Sequence, residues 1–260
     1  MFSFFSAIAT IAYRDVLKLF RDIPRLIFSF IFPILFVGVL GTSMQASFGA
    51  ASGQDLLTFT FLGVLAQTLF QSTAAGIISL IEDRENDYSQ EIFVSPTNRY
   101  AILLGKIVGE SAVSFVQVVG VVAFGLLIGV NISLVQLLVL IPVGILICLL
   151  GGSFGILVLA NLNNQRTANQ IFPFLIFPQL FLGGVFAPVG MLPLPLYLLS
   201  RIAPLTYAVD LVRGVYFATE GVQSSLVLLN PWTNLLVVIG MFLVFLVIGT
   251  YVFVRNEKNR

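Results

Sequence analysis

The chain has 260 residues, 58% of them hydrophobic and only 10% charged, and its formal net charge is +1. This composition excludes a water-soluble globular domain, because too few polar side chains are present to cover its surface. The small net charge and the lack of a long basic run give no reason to expect nucleic acid as a partner. Without histidine and with one cysteine, Cys148, the chain cannot form an intrachain disulfide and is a poor candidate for a zinc site.

Residues 1–25 are predicted to form an amphipathic elbow helix that lies along the membrane surface. Basic and apolar residues take opposite sides of this helix. The basic side holds Arg14, Lys18, Arg21 and Arg25, and the apolar side holds Ile8, Ala12, Val16, Leu19 and Phe20. Pro24 is expected to mark the bend into the membrane. The alternative is an ordinary basic flank that only sets the orientation of the first span.

Six apolar segments reach the roughly 20 residues that a helix needs to cross a bilayer. They lack strict two-residue alternation, and backbone groups cannot stay unpaired in lipid, so we predict helices and not barrel strands. The fold class is an all-α integral membrane protein with six transmembrane helices in one domain, residues 1–260. Gly151, Gly152 and Gly155 favour close packing of the fourth span. The predicted spans are residues 26–44, 56–81, 107–130, 134–160, 171–188 and 235–254.

The distribution of lysine and arginine predicts the orientation of the chain. With the N-terminus in the cytoplasm, only Arg201 and Arg213 of the 13 basic residues fall outside. Because basic residues concentrate on the cytoplasmic side of membrane proteins, both termini are expected there. We therefore predict a multi-pass protein of the plasma membrane.

A polar segment, residues 82–99, separates the second and third predicted spans and carries seven charged side chains. Its acidic start suits a helix N-terminus, and Ser95-Pro96 is expected to end or bend the helix. Ile92, Phe93 and Val94 form a small apolar patch among the charges, which suits docking into a groove on a partner. We predict a short helix that a soluble partner holds. The alternative is a solvated loop that only joins two spans.

Polar residues within the second and third predicted spans are candidates for a gate or a transport pathway. Interhelical hydrogen bonding is the alternative role for those that share a helix face. Two of them, four residues apart near the membrane surface, are expected to form a local ion pair with a snorkelling lysine. The candidates are Gln67 and Gln71 in the second span and Lys106, Glu110, Ser114 and Gln117 in the third, with Lys106 and Glu110 as the ion pair.

The outer segment, residues 189–234, is too apolar and too rich in proline for an ordinary loop. We predict one or two short re-entrant helices that dip into the outer leaflet where the protein covers the backbone. An amphipathic helix lying on the membrane surface is the alternative. Asp210 and Arg213 are three residues apart and could pair on one helical face, either as a surface pair or as an outer gate.

Two stretches resemble the type-2 membrane subunits of ATP-binding-cassette exporters. Residues 81–110 are similar to the first cytoplasmic loop of that family, with a Ser-Pro-x-x-Arg turn before a Leu-Gly-Lys start of the third span. The matching positions are Glu82, Arg84, Glu91, Ser95, Pro96, Arg99, Leu104, Gly105 and Lys106. Residues 181–215 resemble a second landmark at Gly184, Phe186, Pro188, Leu192, Pro193, Pro204, Leu205, Thr206, Tyr207, Asp210 and Arg213. The chain departs from the family pattern at Asn86-Asp87-Tyr88 and after Arg166.

The resemblance implies a permease that forms a homodimer, or a dimer with a related permease, and binds two separate ATPase subunits. ATP and Mg would be bound by those subunits, and no cofactor or catalytic residue is expected in this chain. Its own phosphate-binding loop is absent, because Tyr100 replaces the required glycine and Ile107 follows Lys106. The loop 82–100 would be the coupling helix, with the ATPase-coupling residues Glu82, Arg84, Glu91, Ile92, Phe93, Ser95, Pro96 and Arg99.

Phenylalanine, with 25 residues, dominates the aromatic side chains and offers apolar surface without hydrogen-bonding groups. A hydrophobic drug, a lipid or a lipid-linked molecule is therefore the predicted substrate. Residues 13–36 resemble the drug and antibiotic export branch of the family. The alternative is a secondary transporter or channel driven by an ion gradient, against which stand the lack of mid-span acidic residues and of an inverted repeat. A purely structural membrane protein would leave the polar segment unexplained.

Overall fold

A computed structural model describes residues 4–49, 55–81, 99–159, 162, 164–219, 221 and 226–258. In this part of the chain all regular structure is helical, and no strand occurs. Two π-helical segments, Phe36–Gly41 and Gln45–Gly49, continue the second helix, and a 3-10 turn lies at Val189–Met191. The helices are α1 Phe4–Arg21, α2 Ile23–Leu35, α3 Leu56–Gly76, α4 Arg99–Leu127, α5 Leu134–Leu159, α6 Gln165–Leu182, α7 Leu194–Ser200, α8 Pro204–Thr219 and α9 Pro231–Lys258.

Five helical stretches of the described chain are long and apolar enough to cross a membrane. They are Leu26–Gly49, Leu56–Ile81, Ile102–Leu127, Leu134–Leu159 and Pro231–Phe253. The predicted class, an all-helical integral membrane protein, is confirmed, and the number of six spans stays a prediction. The predicted fifth span corresponds to α6, whose first turns are polar. Its predicted end at Pro188 is wrong, because the helix stops at Leu182 and Gly184 takes a positive φ of 70°.

The predicted break before the first span is found. Helix α1 ends at Arg21 and α2 begins at Ile23, with Pro24 in its first turn, where the missing N–H costs no hydrogen bond. Phe20 of the predicted apolar side is 55% exposed and does not belong to the packed face of α1, and its contact with the membrane stays a prediction. Asp15 is buried instead, because the packed face of α1 follows the positions of Ile8, Ala12, Asp15 and Leu19.

Helix α3 is the centre of the bundle, and most of its side chains are buried on every side. It runs antiparallel to α4, since Thr73 lies against Ser114 and Phe61 lies against Gly125 at the opposite end. The predicted close packing of the α5 glycines is confirmed. A β-carbon at Gly151 would overlap the carbonyl oxygen of Phe70 on α3, and neither backbone could yield without a shift of the helices.

The described residues of the outer segment include the short helices α7 and α8 over the end of the bundle opposite to α1, and that they are re-entrant stays a prediction. Every residue of α8 from Pro204 to Gly214 is buried, because the helix packs against α3 and α9. The alternative of an amphipathic helix on the surface does not describe α8, since such a helix would leave one face exposed. Helix α8 is therefore part of the core at this end, whereas α7 leaves Leu194 and Leu198 exposed.

Candidate functional site

A cleft of about 340 Å³ opens between α2, α3 and α4. Three residues predicted for the pathway, Gln67, Gln71 and Gln117, line it together, although they come from two helices. We call this cavity the glutamine cleft. Its other described lining residues are Phe28, Ser29, Phe32, Pro33, Thr68, Ser72 and Ala75.

Gln67 is the most buried polar side chain of the cleft, with 2% of its surface exposed. Its Nε2 donates a hydrogen bond to Oε1 of Gln71 at 2.6 Å, one turn further along α3. Its own Oε1 is buried and has no hydrogen-bond partner among the described residues. The alternative of interhelical hydrogen bonding therefore does not describe this pair, because the bond joins residues of the same helix.

Ser114, the candidate three residues before Gln117 on α4, lies outside the cleft. Its Oγ is 2.8 Å from Oγ1 of Thr73 on α3, and both side chains are buried. This contact is the interhelical hydrogen bonding that the sequence offered as the alternative role. Ser114 thus fixes α4 against α3.

A buried ion cluster of Asp15, Lys106 and Glu110 joins α1 to α4. The predicted pair is confirmed, since Lys106 Nζ lies 2.9 Å from Glu110 Oε1. The same ammonium lies 2.8 Å from Oδ2 of Asp15, which sequence reasoning missed. Lys106 is only 1% exposed, so the predicted snorkelling to the surface is wrong. The packed α1 covers it.

The signal for Asp15 was an acidic residue within the apolar positions of an amphipathic helix. Its carboxylate can reach Lys106 because small residues of α4 let α1 approach. A β-carbon at Gly105 would lie 3.2 Å from Cα of Ile8, and one at Gly109 would lie 3.0 Å from Cα of Ala12. This is the close approach that two glycines four residues apart allow between membrane helices.

The charges of the ion cluster are nearly balanced within the protein. Arg14 Nη2 lies 3.4 Å from the second oxygen of Asp15, so two cations accompany the two carboxylates. Burying such charges is costly unless each has a close partner, and removing one partner costs about 3–5 kcal/mol. A cavity of about 410 Å³ lies beside the cluster and extends to Ser79 at the end of the α3 span. The cluster therefore joins α1 to the first turns of α4, the helix that follows the polar segment.

Asp210 and Arg213 do not bind each other, so the predicted pairing is wrong. Arg213 donates to the carbonyl oxygens of Phe59, Gly184 and Val185 at 2.9, 2.7 and 3.0 Å, and its guanidinium stacks on the Phe59 ring. Asp210 accepts three hydrogen bonds at 2.7–2.8 Å, from the backbone N–H groups of Leu228 and Leu229 and from Nδ2 of Asn234.

The physical reason is that each side chain has backbone groups within hydrogen-bonding distance. These backbone groups lie closer to Arg213 and to Asp210 than the two side chains lie to each other. The chain turn after α6 leaves carbonyl oxygens for Arg213, and the turn before α9 leaves N–H groups for Asp210. Both residues fix the outer segment to the bundle. Their predicted role in an outer gate stays a prediction.

Most of the predicted ATPase-coupling residues, namely Glu82, Arg84, Glu91, Ile92, Phe93, Ser95 and Pro96, lie outside the described residues. Arg99 is the first residue of α4. The described chain contains no group of three or more His, Cys, Asp or Glu residues that could hold a metal ion.

The fold and its buried charges define a helical membrane protein, and comparison with known proteins identifies its family. Residues 6–217 match the family of ABC-2 type transporters, so the chain belongs to this family. The resemblance noted in the sequence is thereby confirmed. Membership makes the chain a membrane permease that works with ATP-binding-cassette ATPase subunits.

Two relatives carry the name of a transport permease, ycf38. The protein of Cyanophora paradoxa is 27% identical over 228 residues, which are 86% of this chain and 79% of the relative. The protein of Porphyra purpurea is 24% identical over 212 residues, 78% of this chain and 71% of the relative. Both similarities extend over most of the permease.

Proposed function

We propose that the chain is the permease subunit of an ATP-driven exporter that moves a hydrophobic drug, a lipid or a lipid-linked substrate out of the cytoplasm. The observation that carries the proposal is the family match over residues 6–217 in a chain without a phosphate-binding loop. Energy must then come from separate subunits. The chain itself has no ATPase site and no cofactor, and ATP and Mg bind to the partner.

The polar segment is the proposed contact with the ATPase. It connects α3, the central helix, to α4, so a displacement of the segment is passed directly to the core of the bundle. The ion cluster supports this route because it ties α1 to the start of α4. A rigid lever of this kind moves when ATP binding changes the relative stability of two ATPase states.

We further propose a homodimer with both termini on the cytoplasmic side of the plasma membrane. Helix α6 supports the dimer, since three of its four aromatic side chains point away from the bundle, Phe172 being the buried one, and Phe174 is 81% exposed. Pro173, Phe177, Pro178 and Phe181 complete an apolar groove of about 500 Å³ on the same helix. A second permease copy would cover this surface, and the basic residues at the α1 end support the orientation.

Transport driven by an ion gradient is the second candidate. The ion cluster favours it, because buried ionisable residues in a membrane protein often mark a proton or ion path. Asp15 is a buried acidic residue that the sequence did not place inside the protein, and Glu110 is buried although the sequence placed it near the membrane surface. Their position beside α1, away from the middle of the span, and their ion pairs with Lys106 fit a joint between helices better than a path.

Co-purification tests the proposed partnership. A tagged permease, co-expressed with its ATP-binding-cassette ATPase, is expected to retain that ATPase through detergent extraction. Ile92→Ser with Phe93→Ser should release most of the ATPase, because the apolar patch of the polar segment is lost. Arg255→Glu, an exposed change at the end of α9, is the control and should retain it. An ATPase that stays bound to the double variant as it does to the wild type would contradict the coupling role.

A further inference from the structure

We propose that the glutamine cleft is a ligand site for an uncharged amphipathic molecule that carries a hydroxyl group. The inference deepens the proposed function, on which it rests for the step from binding to transport. The residues that line the glutamine cleft indicate the chemical class of the substrate. Binding itself requires only the permease.

The strongest indication is the unpaired amide atom of Gln67. The side chain is nearly fully buried, and its Oε1 has no partner among the described residues while Nε2 is bound to Gln71. Reversing both amides would satisfy the oxygen and leave Nε2 unpaired, so one polar atom lacks a partner in either orientation. A buried unpaired amide group costs about 1–3 kcal/mol. A ligand hydroxyl would serve both orientations, because it donates and accepts.

Other buried atoms, such as Oε1 of Gln179 and Oγ1 of Thr250, also lack a partner among the described residues, but Gln67 is the one of these three residues that lines the glutamine cleft, and hydroxyl groups beside it are paired. The hydroxyls of Ser29 and Thr68, on the walls of the cleft, donate to the carbonyl oxygens of Leu26 and Val64 within their own helices. Elsewhere between α3 and α4, Thr73 and Ser114 are in direct contact. The glutamines of the cleft instead face a cavity that lies between three helices. Their amides are the hydrogen-bonding groups that a ligand would meet.

The residues that line the cleft also exclude a charged headgroup on the ligand. None of the described residues that line the cleft is charged, so an ionic headgroup would lose its hydration without gaining a counterion. The α2 wall is aromatic and apolar, with Phe28 and Phe32, and faces the glutamines of α3 and α4. This division into one polar and one apolar wall fits a neutral headgroup followed by hydrocarbon.

The size of the cleft fits a headgroup with the first part of a chain. About 340 Å³ lies at the lower end of the range of small-molecule sites, about 300–1,000 Å³, and is too small for a whole two-chain lipid. Phe28 is largely exposed at its edge, so a longer tail could pass beside that ring out of the bundle. The ligand class is therefore a neutral hydroxylated lipid or a drug of the same chemistry.

Photo-crosslinking of the purified full-length permease, without ATPase, tests the site. The probe is a monoacylglycerol with a diazirine in its chain, which offers two hydroxyls and no charge. Two matched probes carry the same chain, one as the dimethyl ether and one as the free fatty acid. Mass spectrometry is expected to place the monoacylglycerol crosslinks on α2, α3 and α4 at the cleft. The ether and the anion should label these peptides about tenfold less, which corresponds to one lost hydrogen bond.

Variants separate the site from general lipid contact. Gln67→Met keeps the side-chain volume and removes the amide, so labelling at the cleft should fall about tenfold. Gln117→Leu, on the α4 part of the same polar wall, gives a second test if the first variant does not fold. Gln179→Met is the matched control, because Gln179 is a buried glutamine of α6 outside the cleft, and it should label as the wild type does. Equal labelling by the hydroxyl and ether probes, or unchanged labelling in both cleft variants, would overturn the proposal.

The source of the hydroxylated ligand is decided by native mass spectrometry and competition. A resident lipid would co-purify with the wild-type permease and be lost from Gln67→Met. A transported molecule would leave the purified site empty, and excess monoacylglycerol would compete with the probe. Either result supports the site. Failed labelling in a permease that still couples to its ATPase overturns this inference alone, whereas labelling in a permease that binds no ATPase overturns the proposed function alone.

Discussion

The two ends of the helix bundle bury charged residues in different ways. At the α1 end, Asp15 and Glu110 both bind the ammonium group of Lys106, and these side-chain ion pairs join two helices. At the opposite end, Arg213 and Asp210 bind backbone groups of neighbouring turns. Side-chain ion pairs can adjust when helices shift, while bonds to backbone groups require the turns to stay in place. The α1 end is therefore suited to movement, and the opposite end to anchoring.

The largest expected effect is at the ion cluster. Lys106→Met should lower the free energy of unfolding by about 3–5 kcal/mol, because two buried carboxylates lose their shared ammonium. Denaturation by SDS in mixed micelles measures this loss. Arg255→Met, which removes an exposed basic residue, is the control and should change stability by less than about 0.5 kcal/mol. A similar small loss for Lys106→Met would mean that the cluster does not hold α1 on α4.

At the opposite end, Arg213→Met should cost about 2–4 kcal/mol, since hydrogen bonds to three carbonyl oxygens are lost together. The same denaturation experiment applies. Arg201→Met is the matched control, because Arg201 belongs to the same outer segment and contacts the rings of Tyr197 and Tyr207. If Arg213→Met and Arg201→Met lower the free energy of unfolding equally, Arg213 does not anchor the outer segment more strongly than Arg201 does.

The close packing of α5 on α3 predicts a smaller effect. Gly151→Ala should destabilise the protein by about 1–3 kcal/mol, because the new methyl group meets the backbone of Phe70. Gly240→Ala, in the middle of α9, has open space around the new methyl and should be neutral or slightly stabilising. Thermal unfolding in detergent compares the two. A Gly151→Ala protein as stable as Gly240→Ala would show that the helices are less close than described.

The smallest expected effect separates anchoring from gating at Asp210. Asp210→Asn should lower stability by about 1 kcal/mol, since the amide keeps an acceptor oxygen for only one of the N–H groups of Leu228 and Leu229. Transport at a temperature where the variant is folded should stay at the wild-type level. A variant that is as stable as the wild type but transports substrate without ATP would instead assign Asp210 to an outer gate.

Local patterns in the sequence predicted the local features of the structure. The Lys106–Glu110 pair follows from a four-residue spacing, the break at Pro24 from the chemistry of proline, and the packing of Gly151 from its lack of a side chain. Each depends on residues that are close in the chain or on one residue alone. These features required no knowledge of how the helices are arranged.

Features that depend on the arrangement of the helices were not predictable in the same way. Asp15 meets Lys106 across 91 residues, and Arg213 meets Phe59 across 154. Gln67 and Gln117 were correctly selected as polar residues inside spans, but only the packing of α2 against α3 and α4 places them in one cleft. The end of α6 was set by backbone conformation at Gly184, which hydropathy does not report.

The most direct test of the central claim is transport in liposomes. Permease reconstituted with its ATPase is expected to move the substrate only with ATP, and Arg84→Glu combined with Glu91→Lys should abolish this transport while the protein remains folded. Permease reconstituted alone should move nothing under a proton gradient. Substrate transport by the permease alone, at the rate of the complete complex, would contradict the account.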